Sequence, residues 1–193
     1  MKQQNIWGMV LLSGCLTFSL ATLGWSDEDE RWGGKSKQDK NVWERTSDVP
    51  LVTNKNYQTE CSACHFAYQP GFLPERSWKK IMGSLDDHFG ENAELSDAMT
   101  QEIENFLVGR AADVIPNRFS RSILRSISAG ETPLRISKTA YFERKHDEIP
   151  NRLVAGNPKV RSFSNCLNCH TTGDQGSFDE HRVNIAGFGR WDD

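Results

Sequence analysis

The chain has 193 residues, 37% of them apolar and 25% charged, with a formal net charge of −3. That length suits one domain or two small ones. The 23 Lys and Arg are mixed with 26 Asp and Glu and form no basic stripe, which excludes a nucleic-acid partner.

The amino terminus departs from this polarity. Lys2 precedes an uncharged stretch from Ile6 to Trp25, and Asp27, Glu28, Asp29 and Glu30 follow it. A basic start, an apolar run and an abrupt acidic turn make up an export signal, so the folded part is expected outside the cytoplasm. Residues 1–25 read as a signal peptide or, since a bilayer span needs about 20 apolar residues, as a membrane anchor. Leu12-Ser13-Gly14-Cys15 adds a third reading, a lipoprotein processing site acylated at Cys15, although Thr17 to Leu23 stays apolar where a processed lipoprotein turns polar. Residues 26–56, charged and glycine-containing with isolated Trp32 and Trp43, read as a flexible linker. Residues 57–193 are left as the functional domain.

Cys61-Ser62-Ala63-Cys64-His65 lies at the start of that domain, and Tyr68-Gln69-Pro70-Gly71-Phe72-Leu73-Pro74 follows as a turn centred on Pro-Gly. Trp78, Ile81, Met82, Leu85, His88 and Phe89 recur at three- and four-residue steps. They predict a helix over 75–89 that Pro74 starts and Gly90 ends. A second helix opens at Leu95 and Ser96, carries Met99, Ile103, Phe106 and Leu107 on its apolar side, and closes near Gly109. Phe119 to Ala129 is a third, with Ile123 and Ile127 inward, and Ser137 to about Asp147 a fourth, carrying Tyr141, Phe142 and His146. Pro150, Asn157-Pro158 and the tail from Gly173 read as loops. Alternating β-branched runs are nearly absent, so the fold is expected to be mainly α with substantial loop.

With Cys15 assigned to the leader, the remaining cysteines form two C-x-x-C pairs, each followed at once by histidine: Cys61, Cys64, His65 and Cys166, Cys169, His170. C-x-x-C-H is the attachment motif of c-type haem. Two thiols three positions apart can each form a thioether with a haem vinyl group, and the adjacent histidine supplies an axial nitrogen to the iron. A four-thiolate zinc site leaves the histidines unexplained. A disulfide scaffold does not suit the spacing, and a thioredoxin-like pair needs a βαβ setting that neither copy has. The expected architecture is a small helical multihaem cytochrome c fold packed around two covalent haem c groups.

Each iron keeps a second axial position, which histidine or methionine can fill or a small ligand can occupy. His88 is the first candidate, because the predicted helix turns it toward Trp78, Ile81 and Leu85. His146 is the second, four residues after Phe142 on one helical side. His181, within Asp179-Glu180-His181-Arg182, reads as a solvated residue or a propionate neighbour, and Met82 and Met99 read as core. Irons saturated by His65, His88, His146 and His170 would suit electron transfer through two low-spin haems, with no small-molecule substrate. The alternative is an enzyme of the dihaem peroxidase type with one openable position.

The run from Cys61 to Trp78, with Arg76-Ser77-Trp78 leading into His88-Phe89-Gly90, resembles the bacterial dihaem cytochrome c family. The likeness continues through Arg135-Ile136, Lys145-His146, the second C-x-x-C-H and Gly176-Ser177-Phe178. It implies a periplasmic electron carrier, soluble or tethered by its N-terminal segment, with both haems bis-histidine ligated. The family's distal histidines then carry over onto His88 and His146, and proximity in sequence pairs His88 with His65 and His146 with His170. The resemblance further implies redox-protein partners, such as a membrane cytochrome b or another periplasmic haem protein.

Overall fold

The structure, a computed structural model, describes residues 48–191. The leader with Cys15, and the linker up to residue 47, lie outside the described residues. Among those described, no helix is long and apolar enough to cross a membrane.

Five short helices and a minimal hairpin carry the described residues. Helix α1 (Lys55–Cys61) is capped by Asn54, whose side chain accepts from the Tyr57 amide at 2.7 Å, and it buries Tyr57. A fully buried 3-10 turn, Pro70–Phe72, leads into α2 (Glu75–Met82). Helix α2 turns Ser77, Trp78, Ile81 and Met82 inward, and the Trp78 indole N–H donates back to the Pro70 carbonyl at 2.8 Å.

The periodicity predicts that this helix continues to Phe89, but it stops at Met82. Gly83 caps it, and the Ser84 hydroxyl donates to the Lys80 carbonyl at 3.0 Å, replacing the next helical amide. Asp86 and Asp87 are also unfavourable at a helix C-terminus, where the dipole is negative. A 3-10 turn, Leu85–Asp87, follows. His88 therefore leaves from a tight loop and not from the helix face. The His88 amide donates to the Glu91 carbonyl at 2.8 Å, and the turn between them places Phe89 at φ 60 and Gly90 at φ 98.

Helix α3 (Asp97–Val108) matches expectation at both ends, from the Ser96 cap to Gly109, and it buries Ile103, Phe106 and Leu107 against α2. Helix α4 (Arg118–Leu124), capped by Asn117, is shorter than predicted. The Ser126 amide and hydroxyl both turn back to the Ile123 carbonyl, at 2.8 and 2.7 Å, which tightens the chain out of α geometry. Ile123 and Ile127 are both buried, as predicted.

Helix α5 (Ala140–His146) starts three residues later than the pattern suggests. Thr139 takes the N-cap position after a 3-10 turn, Ile136–Lys138. Beyond Pro150 the chain is loop and 3-10 turns, closed by the antiparallel pair β1 (Asn184–Ile185) and β2 (Gly189–Arg190), in register Asn184 to Arg190 and Ile185 to Gly189.

Among the described residues, apolar side chains gather in three clusters. One joins α1, α2 and α3 around Leu73, Trp78, Ile103 and Leu107. Another gathers Leu153, Val154, Val160, Val183 and Ile185 beside Cys169. The third packs Val49, Phe72, Ile123 and Ile127 with Phe119, Tyr141 and Phe178. Val49 is 1% exposed, so the packed fold includes residues before Tyr57.

Candidate haem sites

Each cysteine pair sits in a turn that sets its spacing. Cys61 is the last residue of α1, and Cys64 and His65 lie in the turn that leaves it. Cys166 opens a 3-10 turn, and the amides of Cys169 and His170 both donate to the Cys166 carbonyl, at 3.1 and 2.7 Å. The hairpin grips this second turn: the Asn184 amide donates to Cys169 at 2.9 Å and the Ala186 amide to Asn168 at 2.8 Å. All four thiols are free. No three His, Cys, Asp or Glu side chains converge among the described residues, so the two pairs are not gathered into one zinc cage.

The remaining histidines then sort themselves. His88 faces His65 with ring centroids 6.2 Å apart and planes inclined by 29°. His146 faces His170 at 6.1 Å with planes inclined by 75°. His181 is exposed on the turn Glu180–Arg182. Met82 is buried in the α2–α3 cluster and Met99 packs against it.

Neighbouring groups fix two of these rings. His65 Nδ1 lies 2.8 Å from the Phe66 carbonyl, and its ring stacks on Tyr68 at 4.7 Å. His146 Nδ1 lies 2.9 Å from the Phe142 carbonyl, and its ring stacks on Phe142 at 3.8 Å and 10°. A carbonyl can only accept, so Nδ1–H donates in both cases and Nε2 keeps its lone pair, the tautomer a metal ligand needs. Burial lowers the proton affinity of three imidazoles. His170 is pushed down to about 4, by burial first and His146 second. His146 is lowered by burial and by Lys145, partly offset by the Phe142 carbonyl. His88 is lowered by burial, then by His65 and Arg135. Burial also pushes the Cys61 thiol up to about 11 and the Cys166 thiol up to about 12.

These residues fit two haems. A metal–imidazole bond is about 2 Å long and the bonded nitrogen lies roughly 1 Å from the ring centroid, so imidazoles on opposite sides of one iron hold their centroids about 6 Å apart. Both histidine pairs have that spacing. His88 lines a cavity of about 370 Å³ with Phe89 and Arg135, and His146 one of about 350 Å³ with Phe142 and Phe163; the motif histidines and cysteines line neither.

Sequence reasoning missed the supporting residues. Arg135 lies over the Phe89 ring at 4.0 Å. It braces a residue whose positive φ costs about 1–3 kcal/mol and whose ring abuts His88 at 4.8 Å. Phe163 packs edge-on to both Phe142 and His146. Tyr68 and Gln69 each reach across to the second motif. Helical periodicity could flag only Phe142, four residues before His146.

Paired C-x-x-C-H turns on a small, mainly helical frame with long loops define the multihaem cytochrome c class. The family described as dihaem cytochrome c matches residues 57–178. A dihaem cytochrome c from Shewanella baltica OS155, solved by X-ray crystallography, is 44% identical with a TM-score of 0.61, covering 74% of this chain and 100% of that one. A dihaem cytochrome c from Rhodobacter sphaeroides is 45% identical with a TM-score of 0.60, covering 66% of this chain and 98% of that one. A second structure, of the protein purified from that organism, is 44% identical with a TM-score of 0.54 and covers 67% and 100%. No curated protein matches the chain. The chain belongs to the dihaem cytochrome c family, a family of electron-transfer proteins.

Proposed function

We propose that this protein is an exported, periplasmic electron carrier in which His65 and His88 hold one iron and His170 and His146 hold the other. The observation that carries this reading is the pair of imidazole spacings, 6.2 and 6.1 Å. Cys61 and Cys64 would anchor the first haem, and Cys166 and Cys169 the second. Haem iron supplies a one-electron redox step, and histidine on both sides favours a lower reduction potential than a His/Met pair.

The polypeptide orients and insulates. Carbonyls of Phe66 and Phe142 hold the tautomers of His65 and His146, and Arg135 holds the Phe89 loop that carries His88. Filled axial positions leave no place for peroxide or oxygen, which disfavours the peroxidase alternative. The slight net negative charge, increased by haem propionates, suits a redox partner with a basic docking patch. Electrostatics there would act mainly on the association rate. The family resemblance points to a membrane cytochrome b or another periplasmic haem protein as the class of that partner.

Absorption and EPR spectra of the purified protein test the reading. Two low-spin haems are expected, with slow and incomplete binding of carbon monoxide or cyanide. H88A and H146A should each convert one haem to high spin, and H181A should leave both low-spin. Rapid stoichiometric ligand binding at one haem of the wild-type protein would favour the peroxidase reading instead.

A further inference from the structure

Two consecutive residues of the Pro-Gly turn reach opposite sides of the second haem motif. The Tyr68 hydroxyl donates to the Ser164 carbonyl at 2.8 Å, across 96 residues, just before Cys166. The Gln69 side-chain amide donates to the Gly173 carbonyl at 2.6 Å, across 104 residues, just after His170. Gly173 is closely packed, because a Cβ there would lie 3.1 Å from the side chains of Leu167 and Phe178. The loop therefore closes tightly on the carbonyl that Gln69 holds.

The other end of the same dipeptide belongs to the first site. The Tyr68 ring stacks on the His65 ring at 4.7 Å and 29°, and its carbonyl accepts from the Tyr57 hydroxyl of α1 at 2.8 Å. Gln69 is fully buried, and its Oε1 has no hydrogen-bond partner among the described residues. Leaving a buried polar atom unpaired costs about 1–3 kcal/mol. Such a residue is tolerated where its other polar contact matters to the fold. The Ser164 carbonyl also lies 3.7 Å from the Cys166 sulfur. Once that sulfur is a thioether it has no proton to donate, and the Tyr68 hydroxyl alone serves this carbonyl.

We infer that Tyr68 and Gln69 couple the two haem sites: Tyr68 is a positioning residue that fixes their separation, stacked on the His65 ring and hydrogen-bonded to the backbone just before the Cys166 attachment. The inference rests on the proposed occupancy of both motifs. In the relay, one electron leaves iron at one motif and reduces iron at the other. Tyr68 keeps its own electrons and its phenolic proton. The Tyr68 ring meets the His65 ring by stacking alone, and from its hydroxyl the route continues through a hydrogen bond and backbone, which carry electronic coupling better than an equal gap through space.

NMR of the wild-type protein during stepwise reduction is the first measurement. The Tyr68 ring resonances should shift in two steps, one for each haem, and a single step would overturn the inference. Y68F is the second, since it keeps the ring on His65 and removes only the bond to Ser164. It should retain two low-spin haems, shift the haem methyl resonances of both sites, and slow electron exchange severalfold in half-reduced samples. Unchanged exchange, with shifts confined to one haem, would sink the idea. A wild-type protein lacking two low-spin haems would instead count against the proposed function. If Y68F fails to mature, the wild-type titration decides alone.

Discussion

His146 and His88 are held in different ways. His146 has its Nδ1 on the Phe142 carbonyl, its face on the Phe142 ring at 3.8 Å and an edge of Phe163 at 5.6 Å. All of the Phe142 contact follows from the four-residue step along α5, so this histidine and its support are legible together. His88 relies on the φ 60 turn at Phe89 and on Arg135 above that ring. Its identity as a candidate was legible from the sequence, but its route was not, because Gly83 and Ser84 end the helix that periodicity extends. Phe142→Leu keeps the carbonyl bond and removes the stack. Aromatic pairs contribute about 0.5–1.5 kcal/mol beyond their buried area, and denaturant unfolding should show a loss at least that large with both haems still attached.

At the scale of elements, caps decide where the helices begin and glycines or serines decide where they end. Ser96 and Gly109 frame α3 as the pattern predicts. Thr139 does more than cap α5. Its hydroxyl donates to Ile136 at 2.9 Å while accepting from the Phe142 amide at 3.3 Å, and the residue is 2% exposed. It therefore welds the 3-10 turn to the helix that carries His146. Thr139→Ala should cost about 0.5–2 kcal/mol, and for a chain of this size each kcal/mol lowers the melting temperature by roughly 2–4 °C. A melting curve that superposes on the wild type would show that the cap is dispensable. The exposed Lys145–Glu180 pair at 2.8 Å, which ties the same helix to the C-terminal loop, should contribute little, because water screens it.

Over the whole molecule, long-range hydrogen bonds stitch the second motif to the N-terminal part. Asp48 and Val49 donate to the Gly176 carbonyl, the Phe178 amide donates to Asp48, and Tyr68 and Gln69 reach Ser164 and Gly173. Local periodicity carries no information about contacts of this span, so the mainly helical class was readable while the joining of the motifs was not. The sequence pointed to the histidines that the fold brings into pairs, His65 with His88 and His146 with His170. It did not reveal that the segment after the first motif is also the wall of the second.

The two imidazole pairs differ most in the inclination of their planes, 29° at the first site and 75° at the second. Were ferric iron held between them as proposed, nearly parallel rings would act on the same one of the iron's two dπ orbitals and split them apart. Nearly perpendicular rings act on one orbital each and leave the pair almost degenerate. Frozen oxidised protein should therefore give two EPR signals of equal integrated intensity, an ordinary rhombic one from the His65 site and a strongly anisotropic one with a much larger principal g value from the His170 site. A single signal accounting for both irons would mean that the rings adopt one common inclination once iron is bound. Two signals would let each electron be followed to its own iron in a protein where both haems absorb the same light.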